Sequence, residues 1–404
     1  MEQRICVVGG GPAGLAAAIE GAKLGLQVDL YERNRIGDHI RCAEGFIDSL
    51  RLLGQPEAGV RFKVDEAILE VKREFRVNCR KVNLWMIDRA EWQRFLGERA
   101  RAAGVKIYEK TRITREAFRE LQKNYRWVID ASGVPSISSL CFGFRDYYRR
   151  YGAVTAQYVI EGDFSRLGRR LKFRLFPGYR GYYWVFPKGR DAQGRETANV
   201  GIGWFRQGIK KSDPEISLWQ ELNRVLVREQ IEGKVVRRHG GIVPIRLREQ
   251  LQHGNVLLVG DAAGCASPLH GGGIDTAFLT GRLAARWIAS RQNGLPGTDF
   301  SRYVWHILKP KLEVEQRLSE LWLQLDFDTL DNLACFITRD YRQIRGWVLL
   351  RHFWMLLRDA GTGIRFWSGL TRGKWERFRV PGRAERESLP VSGAGGRWPH
   401  QPRR

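Results

Sequence analysis

Three glycines near the start of the chain, Gly9, Gly11 and Gly14, have the spacing of a loop that binds the diphosphate of a dinucleotide. They lie between an apolar run that predicts a buried strand and an Ala-rich run that predicts a helix. In such a unit the first glycine makes the turn, the second admits the diphosphate, and the third lets helix and strand pack closely. Glu32 follows the next apolar run, where its carboxylate could bind a ribose. The pattern therefore predicts a nucleotide-binding βαβ unit.

A second group of candidate residues lies near position 260. A hydrophobic run ends at Gly260 and Asp261, and a carboxylate just past a strand can hold a hydroxyl of a ribityl chain. The glycines 271–273 then precede a long Ala-rich helix. Their amides and the positive end of the helix dipole would face a flavin pyrimidine ring and stabilise negative charge on it. Together with Glu32, these residues predict FAD rather than NAD as the bound cofactor.

The segment Tyr182-x-Trp184-x-Phe186-Pro187 could line a site for an apolar chain. Its three rings alternate along a predicted strand and so share one face, where they could stabilise positive charge through their quadrupoles. Reduction of an isolated alkene needs a hydride, which N5 of reduced FAD would supply, and a proton donor. The alternative is an ordinary aromatic core face of a half-buried sheet.

The order of these motifs resembles the FAD-binding fold of the hydroxylase-like flavoproteins. Between them, a predicted strand ends at Asp130 and is followed by Ala131-Ser132-Gly133. Two segments narrow the resemblance, which extends over about residues 3–290, to the geranylgeranyl reductase family. They are the aromatic segment and the run Arg41-Cys42-Ala43-Glu44-Gly45. Asp88-Arg89 before a helix and the segment 262–274 are also similar to that family. Ser132 stands where the family has Asp, and His270 before the glycines has no assigned role.

The resemblance implies noncovalently held FAD and saturation of carbon–carbon double bonds in a prenyl chain on a lipid or a diphosphate. NAD(P)H or a reduced ferredoxin-like protein would be the external electron donor. The aromatic segment would line the substrate cavity. Cys42 would lie near the flavin as a catalytic proton donor or a redox-sensitive thiol, although a lone cysteine is also a common small core residue. The expected cofactor-binding residues are Gly9, Gly11, Pro12, Ala13, Gly14, Glu32, Arg33, Arg41, Cys42, Ala43, Arg89, Ala131, Gly133, Gly260, Asp261, Pro268, Gly271, Gly272, Gly273 and Ile274.

Three other functions remain as alternatives on these residues. A flavin monooxygenase or halogenase could use the same scaffold, but only part of the WxWxIP motif of such halogenases is present. An electron-transfer flavoprotein that passes electrons to quinone is a second alternative, although no CxxC pair is available for the cluster that its larger members carry. The third is a peripheral membrane or nucleic-acid binding protein with a vestigial fold, against which the intact glycines and Asp261 argue.

The strands and helices predicted around these residues indicate an α/β fold. It consists of a Rossmann-like FAD-binding domain, an inserted mixed-sheet substrate lobe and a C-terminal helical region. We expect the FAD-binding lobe over 1–150 and 251–295, the substrate lobe over 151–250, helices over 296–380 and a disordered basic tail over 381–404. Strands are predicted at 4–8, 26–31, 105–109, 126–130, 153–160, 171–176, 182–186, 198–204 and 255–259, and helices at 12–24, 89–103, 214–232 and 272–291.

The chain has a formal net charge of +24, which favours polyanionic partners. No nucleic-acid module is recognisable, so an anionic membrane or a phosphorylated substrate is the expected partner, beside the alternative of an indifferent basic surface. Six scattered cysteines and the histidines lack metal-ligand spacing. No apolar run is long enough to span a membrane and no signal peptide is visible, which predicts a cytoplasmic protein with peripheral contact at the inner face of the membrane. The Trp-rich helices beyond 299 suit such contact or pack as an ordinary cap.

Overall fold

The computed structural model describes residues 4–176, 181–190, 193–205, 217–292, 298–338, 344–350 and 352–373. Its strands are β1 (Arg4–Val8), β2 (Gln27–Tyr31), β3 (Gly45–Ile47), β4 (Val60–Lys63), β5 (Glu66–Glu70), β6 (Glu74–Asn78), β7 (Leu84–Ile87), β8 (Lys106–Tyr108), β9 (Trp127–Asp130), β10 (Gly152–Glu161), β11 (Arg170–Leu175), β12 (Gly181–Arg190), β13 (Glu196–Phe205), β14 (Lys234–Pro244), β15 (Gln252–His253) and β16 (Val256–Leu258). Its helices are α1 (Pro12–Lys23), α2 (Arg89–Ala102), α3 (Arg115–Asn124), α4 (Ile137–Cys141), α5 (Arg145–Arg150), α6 (Leu218–Arg228), α7 (Ile274–Gln292), α8 (Phe300–Gln324), α9 (Phe327–Thr338), α10 (Gly346–Leu350) and α11 (Phe353–Arg372), with a 3-10 turn at Gly260–Ala263.

The nucleotide-binding lobe is built on a six-stranded sheet in the order β15-β16-β9-β1-β2-β8. All its pairs are parallel except β15 with β16, and its central strands are apolar because both faces are covered. Helices α1 and α7 pack closely, and a Cβ on Gly281 of α7 would lie 2.1 Å from the Ala13 carbonyl oxygen of α1. The strands and helices predicted for this lobe begin and end within two residues of those observed.

The second sheet has seven strands in the order β14-β10-β13-β12-β11-β5-β6. It is mixed, because β11 and β5 are parallel while the other neighbours are antiparallel. One face packs on α6 through Tyr183 and Val185 of β12, and the opposite face carries Trp184 and Phe186. This arrangement follows from the alternation of side chains along a strand. The expected fold class is confirmed.

Several elements differ from the sequence prediction. Strand β14 was not predicted, nor was the β5–β6 hairpin, which reaches the second sheet from the first third of the chain. The small sheet β3-β7-β4 was also missed. Strand β12 extends beyond the end predicted at 186 and continues to Arg190, through a register shift that Gly189 permits with φ +70°.

Helices α8 to α11 form a cap over the cavity between the lobes. Helix α8 begins at the capping residue Asp299 and packs against α7 and α11. Helix α9 packs on β6, where Arg73 Nε lies 2.6 Å from Asp331 Oδ2. The expected helical region is confirmed, whereas the tail over 381–404 lies outside the described residues. Among the helices that the structure describes, none is both long and apolar enough to cross a bilayer.

Candidate active site

A large cavity, of about 1850 Å³, lies where the lobes and the helical cap meet. It brings together nearly all of the residues singled out from the sequence. The predicted residues that line it are Gly9, Gly11, Pro12, Ala13, Glu32, Arg33, Arg41, Cys42, Ala43, Arg89, Ala131, Gly133, Tyr182, Trp184, Phe186, Gly260, Asp261, Gly271, Gly272, Gly273 and Ile274. Gly14, Pro187 and Pro268 lie outside the cavity wall.

The glycine loop at one end of the cavity is shaped by close backbone contacts. Gly9 has φ +109°, and a Cβ there would lie 2.3 Å from the Ala131 carbonyl oxygen. A Cβ on Gly14 would lie 1.9 Å from the Gly9 carbonyl oxygen, whereas one on Gly11 would meet no protein atom within 4 Å. The backbone at Gly11 is therefore open to a ligand, while the two flanking glycines hold the turn against β9 and α1.

Glu32, at the end of β2, faces the same loop. Its carboxylate accepts hydrogen bonds from the Gly10 amide at 2.7 Å and the Asn34 amide at 2.9 Å. These bonds fix the carboxylate at the cavity wall beside the N-terminus of α1, which begins at Pro12. A helix N-terminus with free amides suits a diphosphate, and a fixed carboxylate suits ribose hydroxyls. This end of the cavity fits the adenosine diphosphate half of FAD.

Beside the glycine loop, Asp261 and the loop before α7 form a second part of the wall, since a Cβ on Gly260 would lie 2.8 Å from the Ala13 Cβ. Burial raises the pKa of Asp261, and the nearby Arg89 guanidinium opposes this shift. Gly271 has φ +69°, and no protein partner among the described residues accepts the amide hydrogens of Gly273 and Ile274 at the start of α7. A carboxyl for a ribityl hydroxyl and free amides at a positive helix end suit a flavin. Both parts of this end of the cavity therefore fit FAD.

The segment 41–45 is fixed by the buried carboxylate of Glu44, which has φ +64°. Its oxygens accept hydrogen bonds from the Arg89 amide at 3.0 Å and Asn199 Nδ2 at 2.9 Å, and Lys188 Nζ lies 2.7 Å away. The Glu44 amide in turn donates to Cys42 Sγ at 3.2 Å. Glu44 thus ties the Cys42 segment to α2, β12 and β13, and holds the thiol at the cavity wall.

The aromatic segment forms a continuous side of the cavity. The ring centroids of Tyr182 and Trp184 are 5.8 Å apart, and those of Trp184 and Phe186 are 6.3 Å apart. Phe173 of β11 joins them, with its centroid 4.9 Å from that of Phe186. Burial raises the pKa of the Tyr182 hydroxyl, which donates to the His270 carbonyl oxygen at 2.6 Å. The surface offered to a ligand is apolar and aromatic.

Trp184 is positioned by two residues that the sequence analysis did not identify. Gln157, on the cavity face of β10, accepts from Trp184 Nε1 at 3.1 Å and donates to the Cys42 carbonyl oxygen at 3.1 Å. Gly201 lies opposite Trp184 in the β12–β13 register, and a Cβ there would come within 2.2 Å of the indole. Glu44 and Asn199 were missed too. Only the strand register, which one sequence does not reveal, relates Gln157, Asn199 and Gly201 to the site, whereas Glu44 stood inside the motif 41–45.

Comparison with known proteins agrees with this geometry. The FAD binding domain family matches residues 4–83. Digeranylgeranylglycerophospholipid reductase of Methanosarcina mazei is 32% identical over 314 residues, which cover 69% of this chain and 73% of the relative. Digeranylgeranylglycerophospholipid reductase 1 of Methanopyrus kandleri is 31% identical, with coverage of 70% and 80%.

Solved structures share the fold. A geranylgeranyl bacteriochlorophyll reductase-like protein from Thermoplasma acidophilum superposes with a TM-score of 0.68 at 24% identity, covering 86% of this chain and 94% of that one. The flavin-dependent halogenase CmlS reaches a TM-score of 0.60 at 18% identity, covering 89% of this chain and 71% of that one. The matched FAD-binding domain establishes FAD as the cofactor, and the sequence relatives establish the family: the chain belongs to the geranylgeranyl reductase family of FAD-dependent oxidoreductases.

Proposed function

We propose that this enzyme saturates carbon–carbon double bonds in the prenyl chains of an anionic lipid or a prenyl diphosphate. The observation that carries the proposal is the continuity of one cavity, which runs from the nucleotide-binding glycines to an apolar wall of aromatic and aliphatic side chains. Reduced FAD supplies the hydride when bound. A polar substrate, of the kind that monooxygenases hydroxylate, would not match this apolar wall.

The protein's own contribution is to hold the chain and supply a proton. The face of Trp184, fixed by Gln157 and Gly201, supports the prenyl chain and stabilises positive charge that develops on it. Cys42 is the proposed proton donor, because Glu44 and Gln157 hold its segment at the wall between the flavin end and the aromatic rings. The closed apolar surface also excludes water from the reacting carbon.

The length of the cavity suits an isoprenoid. Its wall includes residues along the whole of α11, from Phe353 to Arg372, which at 1.5 Å per residue spans about 28 Å. Most of these side chains are apolar, among them Leu357, Ile364 and Phe366. An extended chain of several isoprene units lies along such a helix without bending.

The far end of the cavity is cationic and suits an anionic headgroup. Lys81 and Arg372 line it, and Arg51 joins their two segments by donating to the Lys81 carbonyl oxygen at 2.5 Å and to the Thr371 carbonyl oxygen. The carboxylate of Asp48, three residues before Arg51, is buried and accepts from the amides of Leu52 and Gly54. A phosphate there would make charge-assisted hydrogen bonds.

We also propose that the enzyme works as a peripheral protein on an anionic bilayer. Trp347 and Leu350 of α10 and Trp354 of α11 are 61%, 67% and 79% exposed, and they lie outside the cavity wall. The acidic residue of α11, Asp359, is buried against Arg317 and Arg358. A helix with exposed Trp and Leu, arginines and no exposed carboxylate suits the interface of an anionic membrane. The electron donor proposed is NAD(P)H or a reduced ferredoxin-like protein.

The function is tested by an anaerobic half-reaction. The FAD of the purified enzyme is reduced, a geranylgeranyl phospholipid in anionic vesicles is added, and flavin reoxidation is followed by absorbance with mass analysis of the lipid. We expect reoxidation together with a gain of about two hydrogens per double bond. A flavin that stays reduced until oxygen or a quinone is admitted would contradict the proposal and favour a monooxygenase or an electron-transfer role.

A further inference from the structure

His270 lies at the junction of the flavin loop, the aromatic wall and the helical cap. Its carbonyl oxygen accepts from the Tyr182 hydroxyl at 2.6 Å, and its ring Nδ1 accepts from the Gly272 amide at 3.1 Å. The residue also lines the cavity, directly before the three glycines that precede α7. One residue therefore contacts the loop proposed to face the flavin through its ring, and the strand that carries the substrate wall through its backbone carbonyl.

Behind the His270 ring lies a buried ion pair on α8. Lys311 Nζ lies 2.8 and 2.9 Å from the two carboxylate oxygens of Glu315, and both side chains are almost completely buried. Burial alone would raise the pKa of Glu315, but Lys311 and His270 lower it below its usual range. Glu315 is therefore ionised. A fully buried ion pair is costly to form, and such pairs are retained where they fix a specific arrangement.

The geometry determines which ring nitrogen of His270 carries the proton. An amide N–H can only donate, so Nδ1, which accepts from Gly272, is unprotonated. The ring proton is then on Nε2, which is buried and lies 3.7 Å from Glu315 Oε1. A carboxylate that faces one nitrogen fixes the tautomer and orientation of an imidazole.

We propose that His270, backed by Glu315 and Lys311, is a positioning residue for the flavin. The neutral ring anchors the Gly272 amide and thereby holds the loop in the conformation that leaves the Gly273 and Ile274 amides at the cavity wall. Those amides, at the positive end of α7, are suited to the pyrimidine edge of the flavin and to its charge when reduced. The inference rests on the placement of the flavin at this loop, not on the identity of the reduced substrate.

The test compares His270→Leu with His270→Asn, whose side-chain oxygen can still accept from Gly272. The FAD dissociation constant and the midpoint potential of the flavin are measured without substrate at neutral pH. We expect His270→Leu to weaken FAD binding roughly tenfold and to lower the potential, because reduced-flavin charge loses its donors. His270→Asn should bind FAD within about twofold of the unmodified protein and keep its potential, because the Gly272 amide keeps an acceptor. His253→Leu, outside the cavity, is the matched control.

Unchanged FAD affinity and potential in His270→Leu would overturn the inference. If that variant does not fold, His270→Ala decides, because FAD affinity and potential equal to those of His270→Asn would equally exclude the ring as the anchor of the loop. A Lys311→Met/Glu315→Gln double variant, which leaves no unpaired buried charge, should weaken FAD binding less than His270→Leu does, because the ring loses its support but the Gly272 amide keeps its acceptor. These readouts involve no prenyl substrate, so failure of the reductase proposal would leave their outcome unaffected.

Discussion

The two ends of the cavity are built in different ways. The nucleotide end consists largely of backbone: a glycine turn, two helix N-termini and carboxylates held by amides. The substrate end consists of side chains brought together from β11, β12 and α11. Backbone sites depend on spacing within one segment, whereas side-chain sites depend on the register of distant segments. At the nucleotide end, the addition of a single side-chain atom should therefore disrupt the fold or the binding of FAD. At the substrate end, substitutions should remove function while the fold and the cofactor are retained.

The sharpest test of this difference is Gly14→Ala, with Gly11→Ala as its matched control. The new Cβ at Gly14 would lie 1.9 Å from the Gly9 carbonyl oxygen, so we expect a loss of about 3 kcal/mol or more in unfolding free energy and no retained FAD. Gly11→Ala meets no protein atom within 4 Å, so that variant should fold but bind FAD weakly. Denaturant unfolding and flavin content measure both. Equal stability of the two variants would refute the distinction.

At the substrate end, Trp184→Ala should reduce prenyl turnover about a hundredfold or more while the protein stays yellow, because we propose that the indole, which lines the cavity, contacts the chain and not the cofactor. Gly201→Ala should reduce turnover less, since its Cβ would displace the indole rather than remove it. Flavin absorbance and product mass are the measurements. Loss of FAD from Trp184→Ala would assign the indole a structural role instead.

The headgroup proposal predicts a change in KM. The double variant Lys81→Gln/Arg372→Gln should raise KM for a phosphate-bearing prenyl substrate roughly tenfold or more, with kcat nearly unchanged, because the charge is remote from the reacting bonds. Lys106→Gln, on the exposed edge strand β8, is the control for lost positive charge. An equal effect on a neutral prenyl alcohol would argue against a phosphate site.

Membrane contact is tested by Trp347→Ser/Leu350→Ser/Trp354→Ser. These side chains are exposed, so the variant should fold normally, yet sediment several-fold less with vesicles of phosphatidylglycerol. Val227→Ser, an 81% exposed position on α6, is the control. Unchanged sedimentation would exclude this surface, and a change in oligomeric state instead would show that a second copy of the chain covers it.

The smallest effect, a loss of stability, is expected from a substitution in the helical cap formed by α8 to α11. Although burial raises the pKa of Asp326, the Thr329 amide and hydroxyl and His352 lower it to about 2. Because the folded pKa lies below the unfolded one, this stabilisation is present above about pH 4 and is lost as pH falls toward 2. The site is partly exposed, so Asp326→Asn should cost no more than about 1 kcal/mol near neutral pH. Thermal unfolding at several pH values checks this, and an undiminished difference in acid would contradict it.

The same contrast explains what could be predicted from the sequence. Gly9, Glu32 and Asp261 lie in local patterns whose chemistry is fixed by a few neighbouring residues, and the strands and helices around them could be placed from periodicity. Gln157, Asn199 and Gly201 are ordinary strand residues whose role arises from the pairing of β10, β12 and β13. Glu44 stood inside a recognised motif, yet its role depends on Lys188, far along the chain.

The path of the β5–β6 hairpin has a consequence for how such enzymes can be recombined. This hairpin, from the first third of the chain, completes the edge of a sheet whose other strands lie between residues 152 and 244. A cassette cut at those limits and moved into another flavoprotein would leave the edge of β11 bare and prone to aggregate. Exchange of substrate specificity between relatives must therefore move at least two separated gene segments together, and point changes on β12 or α11 are the simpler route.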